Sequence, residues 1–157
     1  MIRTAMVGML LVLASTPAFA QKSGSTNLID AARPQSIVSI ARAFGSADLG
    51  KDSDGDPLIT GDIKGRKYYI LFYGCDRNVN CKQIEFRGVL KPGGGFRESL
   101  LNDWNFKYRY GKAYLDTSGN VVVNYLVHMG GGVSRTNLET SFQWFTQMLN
   151  EFHKFMT

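Results

Sequence analysis

Residues 121–156 read VVVNYLVHMGGGVSRTNLETSFQWFTQMLNEFHKFM. Val121, Val123, Tyr125 and Val127 stand two apart, the period of a strand with one face turned inward. Gly130-Gly131-Gly132 breaks that strand, and Ser134 suits the N-cap of a helix. From there Leu138, Phe142, Phe145, Leu149, Phe152 and Met156 recur at steps of four, three, four, three and four. Trp144 and Met148 widen the stripe. Such spacing keeps one side of a helix apolar from end to end, so the decisive unit is a strand followed by a long packed helix. The stripe has two possible coverings: the chain's own sheet, or a partner helix.

Upstream, the same alternation recurs. Leu58 to Ile63 forms a candidate strand, and Lys64-Gly65 suits a tight hairpin. Lys67-Tyr68-Tyr69-Ile70-Leu71-Phe72-Tyr73 is dense in aromatic and branched residues, as a central strand requires. Ile84, Phe86, Gly88 and Leu90 alternate with Gln83, Glu85 and Arg87, which predicts one buried face and one wet face. Ala113 to Asp116 reads as a short strand before the turn Thr117-Ser118-Gly119-Asn120. Two further helices are expected. Pro34 opens one whose apolar face is Ile37, Ile40, Ala41 and Phe44, spanning roughly 34–44, with Gly45 placed to end it in the left-handed conformation. The other begins near Glu98 and carries Leu100, Leu101, Trp104 and Tyr108. Its end is ambiguous, because Trp104, Phe106, Tyr108 and Tyr110 also alternate with polar residues.

The N-terminus has a different composition. Arg3 supplies a positive charge, Met6 to Ala14 is an uncharged and mostly apolar run, and Ala18-Phe19-Ala20 gives the small-x-small pattern of a cleavage site. These are the parts of a secretory signal in order, and the run is short of the roughly 20 apolar residues a spanning helix needs. The expectation is a signal peptide over residues 1–20, cleaved after Ala20, a flexible lead-in over 21–27, and one domain over 28–157 without stable membrane insertion. That places the mature protein in the periplasm or outside the cell. The chain carries a formal net charge of +5, of which Arg3 leaves with the leader. So mild an excess, spread along the chain, does not indicate a nucleic-acid binder. The two cysteines, Cys75 and Cys81, read as a structural disulfide in an exported chain. Five residues separate them, where a redox motif has two, and neither His128 nor His153 is spaced to complete a zinc site with them.

Asp52-Ser53-Asp54-Gly55-Asp56-Pro57 resembles a calcium loop at first sight. Counted from Asp52, however, the sixth position is Pro57 and the twelfth is Ile63, where glycine and a bidentate glutamate belong. A turn entering a strand explains it better, leaving Asp52, Asp54 and Asp56 as a weak metal candidate. Lys91-Pro92-Gly93-Gly94-Gly95 lacks the Gly-Lys-Ser/Thr ending of a phosphate loop. Neither histidine sits in a nucleophile-base-orienter pattern, so no catalytic residue and no cofactor is assigned. Trp104-Asn105-Phe106-Lys107-Tyr108-Arg109-Tyr110 interleaves aromatics with bases, and Trp104, Asn105, Lys107, Arg109 and Lys112 are the candidate binding surface. That pattern suits a binding surface, or stacking on a single-stranded polymer, although core packing with a solvated basic face accounts for it as well.

Five motifs in order resemble the YbjN-domain family: Gly55-Asp56-Pro57-Leu58-Ile59, Phe72-Tyr73-Gly74-Cys75 with Cys81, Asn102-x-Trp104-Asn105, Lys112-Ala113-Tyr114-Leu115-Asp116, and Gly131-Gly132-Val133-Ser134. The resemblance covers about residues 28–156. Members are described as bacterial sensory transduction regulators, and the family implies a fold similar to type III secretion chaperones. The leader and paired cysteines resemble its exported branch, so an intracellular signalling role is not carried over. The expected architecture is α+β: a five-stranded, mainly antiparallel sheet with packed helices, in the order α-β-β-β-α-β-β-α. The expected function is a non-enzymatic binding or regulatory module with a protein or peptide partner, in a fold class that allows a homodimer. Two alternatives stand beside it. One is a small metal-dependent hydrolase using Asp52, Asp54 and Asp56. The other is a weak binder of anionic polymers through Arg97, Lys107, Arg109 and Lys112; nucleic acid is not the expected partner.

Overall fold

The computed structural model describes residues 27–156. The expected signal peptide, and all of the lead-in except Asn27, lie outside the described residues. The element order is α1 (Pro34–Ala41), β1 (Ser46–Lys51), β2 (Pro57–Ile63), β3 (Arg66–Tyr73), β4 (Gln83–Leu90), α2 (Ser99–Lys107), β5 (Lys112–Leu115), β6 (Val121–His128) and α3 (Arg135–Met156). The strands make one sheet in the order β1-β2-β3-β4-β6-β5, with every neighbouring pair antiparallel. The sheet therefore has six strands, not five. The added one is β1, whose Ser-Ala-Asp-Leu-Gly-Lys run lacks the branched and aromatic residues that mark a strand. It is held by its pairing with β2 from Ser46↔Asp62 to Lys51↔Pro57.

Register fixes what each face carries. Ile59↔Ile70↔Phe86↔Tyr125 and Phe72↔Ile84↔Val127 point one way, and α3 lies across them. Leu138, Phe142, Phe145, Met148, Leu149, Phe152 and Met156 are all buried. Phe86 meets Phe142 edge-on at 4.8 Å between centroids and Phe145 at 5.1 Å. The α3 stripe is therefore spent on its own sheet; Trp144 alone of the widening pair is exposed, beside Tyr110. Ser134 caps α3 as expected, its hydroxyl accepting from the Asn137 N–H at 3.1 Å. The first helix is shorter than its apolar spacing implies, ending at Ala41 with Arg42 still right-handed. Gly45 is not among the left-handed residues. Its lack of a side chain serves a close approach instead, because a Cβ there would overlap the Asp62 carbonyl. At Lys64-Gly65 both φ angles are positive, 54° and 79°, the geometry of a two-residue hairpin whose twist matches its strands.

Candidate functional site

All three helices pack on one side of the sheet: α3 over β4 and β6, α1 at the β1 end, α2 at the β5 end. Among the described residues the other side has no helix on it. A half-wet antiparallel sheet normally shows polar residues there, but here the central positions are Tyr69, Leu71, Val89, Val122, Tyr114 and Leu126. Leu58, Tyr69, Leu71 and Val89, with Asp52 and Arg87 at the rim, line a shallow depression of about 240 Å³. A larger hollow of about 430 Å³ lies on the helix side between Phe44 and the polar face of α3. Its walls are polar side chains of α3 such as Gln143, Gln147 and Lys154.

The centre of the bare face is a polar network assembled by register. Arg87 stands between Tyr69 of β3 and Asn124 of β6, and Glu85 between Leu71 and Leu126. Arg87 Nε donates to Glu85 Oε1 at 2.8 Å, and its Nη2 lies 2.6 Å from the same oxygen. Nη2 also donates to the Tyr73 hydroxyl at 3.1 Å, while Asn124 Nδ2 donates to Glu85 Oε2 at 3.0 Å. Glu85 is only 8% exposed, so this pairing is what keeps its charge tolerable. Burial pushes the Tyr73 and Tyr114 phenols up, with the Glu85 charge adding to both. Burial works against the Arg87 charge, but its hydrogen bond and ion pair with Glu85 hold its pKa above the ordinary value. The result is a rigid, charge-balanced spot ringed by apolar and aromatic surface. Both Glu85 oxygens accept hydrogen bonds within the network. Tyrosine and arginine in such a setting are the residues that most often anchor protein interfaces.

The residues singled out in the sequence fall in several places. Cys75 and Cys81 form a disulfide across the β3–β4 connection. Trp104 is fully buried, its indole N–H donating to the Gly111 carbonyl at 3.3 Å and its ring stacked on Tyr108. Asn105 pairs both ways with Ala113, accepting from its N–H at 2.8 Å and donating to its carbonyl at 3.0 Å. Lys107 reaches over Tyr108 and Phe155 on the helix side, whereas Lys112 projects on the bare face, 5.6 Å above Tyr114. Arg109 is exposed between α2 and β5. These five side chains thus do not share one surface, and Lys112 alone lies beside the polar network. Asp52 spends one oxygen on the Asp54 and Asp56 N–H groups, and Asp56 accepts from Asn78 at 2.8 Å. Among the described residues no group of three or more His, Cys, Asp or Glu is arranged to hold a metal ion. The Tyr73–Arg87–Glu85–Asn124 network escaped the sequence reading. Its one linear signal is Glu-x-Arg on the wet face of a strand; the remaining members come from other strands and need the register.

A family model described as "YbjN: Putative bacterial sensory transduction regulator" matches residues 34–156. No curated protein matches the chain. Among solved structures, a chain from "Structure of the HopA1-SchA Chaperone-Effector Complex" is similar at 15% identity and a TM-score of 0.51, covering 76% of this chain and 94% of that one. At such identity the likeness is one of fold. Among the described residues no helix is long and apolar enough to cross a membrane.

Proposed function

The chain belongs to the YbjN family, and from that premise we propose that it is a non-enzymatic binding and regulatory module that takes a protein or peptide partner on the bare face of its sheet. The observation that carries this reading is the helix-free face itself: apolar and aromatic side chains around a satisfied Tyr73–Arg87–Glu85–Asn124 cluster. The fold neighbour, a chain of a chaperone–effector complex, supports the same class of activity. The placement is periplasmic or secreted, supported by the disulfide and by the leader pattern in residues 1–20.

Site-specific photocrosslinking tests the reading. A benzoylphenylalanine at Leu126, 44% exposed on the bare face, should yield a discrete adduct with another protein in cells. The same group at Gln143 on the helix side should yield none. An adduct-free Leu126 position would remove the assignment.

A further inference from the structure

The two edges of the sheet are finished differently. At β5 the outward main-chain groups of Ala113 are both taken by the Asn105 side chain, which blocks the middle of that four-residue edge against another strand. At β1, Arg42 Nε donates to the Ala47 carbonyl at 3.0 Å, which marks the side of the strand facing away from β2. Main-chain groups alternate sides along a strand, so Leu49 and Lys51 turn theirs outward too. Among the described residues, no hydrogen bond from outside the β1–β2 ladder reaches either one. Leu49 is 42% exposed, and a groove of about 300 Å³ walled by Pro34, Leu49 and Pro57 runs beside it. A Cβ at Gly50 would meet only the Leu58 carbonyl, at 3.9 Å.

We propose that β1 is a strand-addition site for an extended segment of the partner protein. The chemistry of that segment follows from the four positions it would face. Asp48 pairs with Arg42 only at 4.0 Å and its side chain stays 83% exposed, so it still calls for a base opposite it, and Lys51 for an acid. Leu49 calls for an apolar side chain. Gly50 leaves a gap at the start of the row Gly50–Leu58–Leu71, which a second apolar side chain fills from the partner. An antiparallel segment therefore reads acid–apolar–apolar–base from N to C, with main-chain hydrogen bonds giving affinity and these four side chains giving selectivity. The inference rests on the binding-module reading and deepens it.

Selection of random phage-displayed peptides against the purified protein tests it. The expected result is enrichment of acid–apolar–apolar–base sequences. A synthetic peptide of the enriched sequence should shift the Leu49 and Lys51 amide resonances and slow Leu49 amide exchange. Leu49→Pro removes one donor that has no internal partner and should weaken binding roughly tenfold with little change in melting temperature. Asp48→Lys should lose the parent peptide and regain binding when the peptide's base is replaced by an acid. Peptides that shift Tyr73, Arg87 and Asn124 but not Leu49 would overturn the edge assignment while leaving the bare-face reading standing. No enrichment, or binding indifferent to Asp48→Lys, would overturn it too. Leu49 protection that rises with protein concentration in the absence of peptide would do the same, by making a second copy the occupant.

Discussion

Tyr68 shows how one side chain links sheet register to pH behaviour. It is fully buried on the helix-covered face, and its hydroxyl donates to the Ser46 carbonyl at 3.1 Å, joining β3 to β1 across β2. Burial, helped by the nearby Asp48 charge, pushes its pKa up to about 12 from 10.0. The folded state therefore holds this proton more tightly than the unfolded chain does. Stability from Tyr68 is complete below pH 10 and is lost as pH rises toward 12, by roughly 2–3 kcal/mol at the end of that window. In Tyr68→Phe the alkaline slope should flatten by that amount, at a cost of about 1 kcal/mol at neutral pH for the missing hydrogen bond. Urea denaturation of both proteins at pH 8, 10 and 12 makes the comparison, and equal slopes would contradict the assignment.

At the level of elements, α3 was legible because two signals agreed, the spacing of its stripe and the Ser134 cap. The stripe also supplies seven of the buried core side chains. Phe145 touches Tyr68 at 6.0 Å and Phe86 at 5.1 Å between centroids, whereas Trp144, one residue away and larger, is 45% exposed against Tyr110. Phe145→Ala should cost about 3–5 kcal/mol through lost transfer energy and the cavity left behind. Trp144→Ala should cost less than about 1 kcal/mol. Urea midpoints of the two variants measure this, and similar losses would mean that α3 is rotated from the orientation described. The element that went unread was β1. Its six residues have no strand propensity of their own, and tertiary pairing with β2 overrides the local sequence. The end of α2 was ambiguous for a different reason: Trp104 and Tyr108, four apart, satisfy the helical and the strand period alike. The polar network was hidden by sequence distance, since Tyr73 and Asn124 meet Arg87 and Glu85 only after three strands are in register.

Across the whole molecule, the disulfide does more than close a short loop. Within the loop, Arg77, Asn78 and Asn80 all take positive φ, and Asn78 donates to the Asp54 carbonyl at 3.0 Å and to Asp56 at 2.8 Å. The bridge thus fixes a residue that in turn holds the β1–β2 turn, and with it Asp52 at the rim and Leu58 in the wall of the bare-face depression. Opening the bridge removes about 2–3 kcal/mol on the chain-entropy view, and the release of Asn78 loosens the neighbouring turn. In a domain of this size that corresponds to a fall in Tm of about 10 °C. Reduction with a dithiol, or the paired change Cys75→Ser and Cys81→Ser, should produce that drop together with faster amide exchange at Asp54 and Asp56. The hairpin itself stays paired, because Lys82 N–H still donates to the Tyr73 carbonyl at 2.9 Å. A compartment consequence follows: protein kept in the cytosol by deleting residues 2–20 should carry free thiols and show the lower Tm, whereas exported protein should begin at Gln21 and be fully oxidised. Thiol titration and intact mass read both, and a bridge that forms equally well without export would remove the compartment argument.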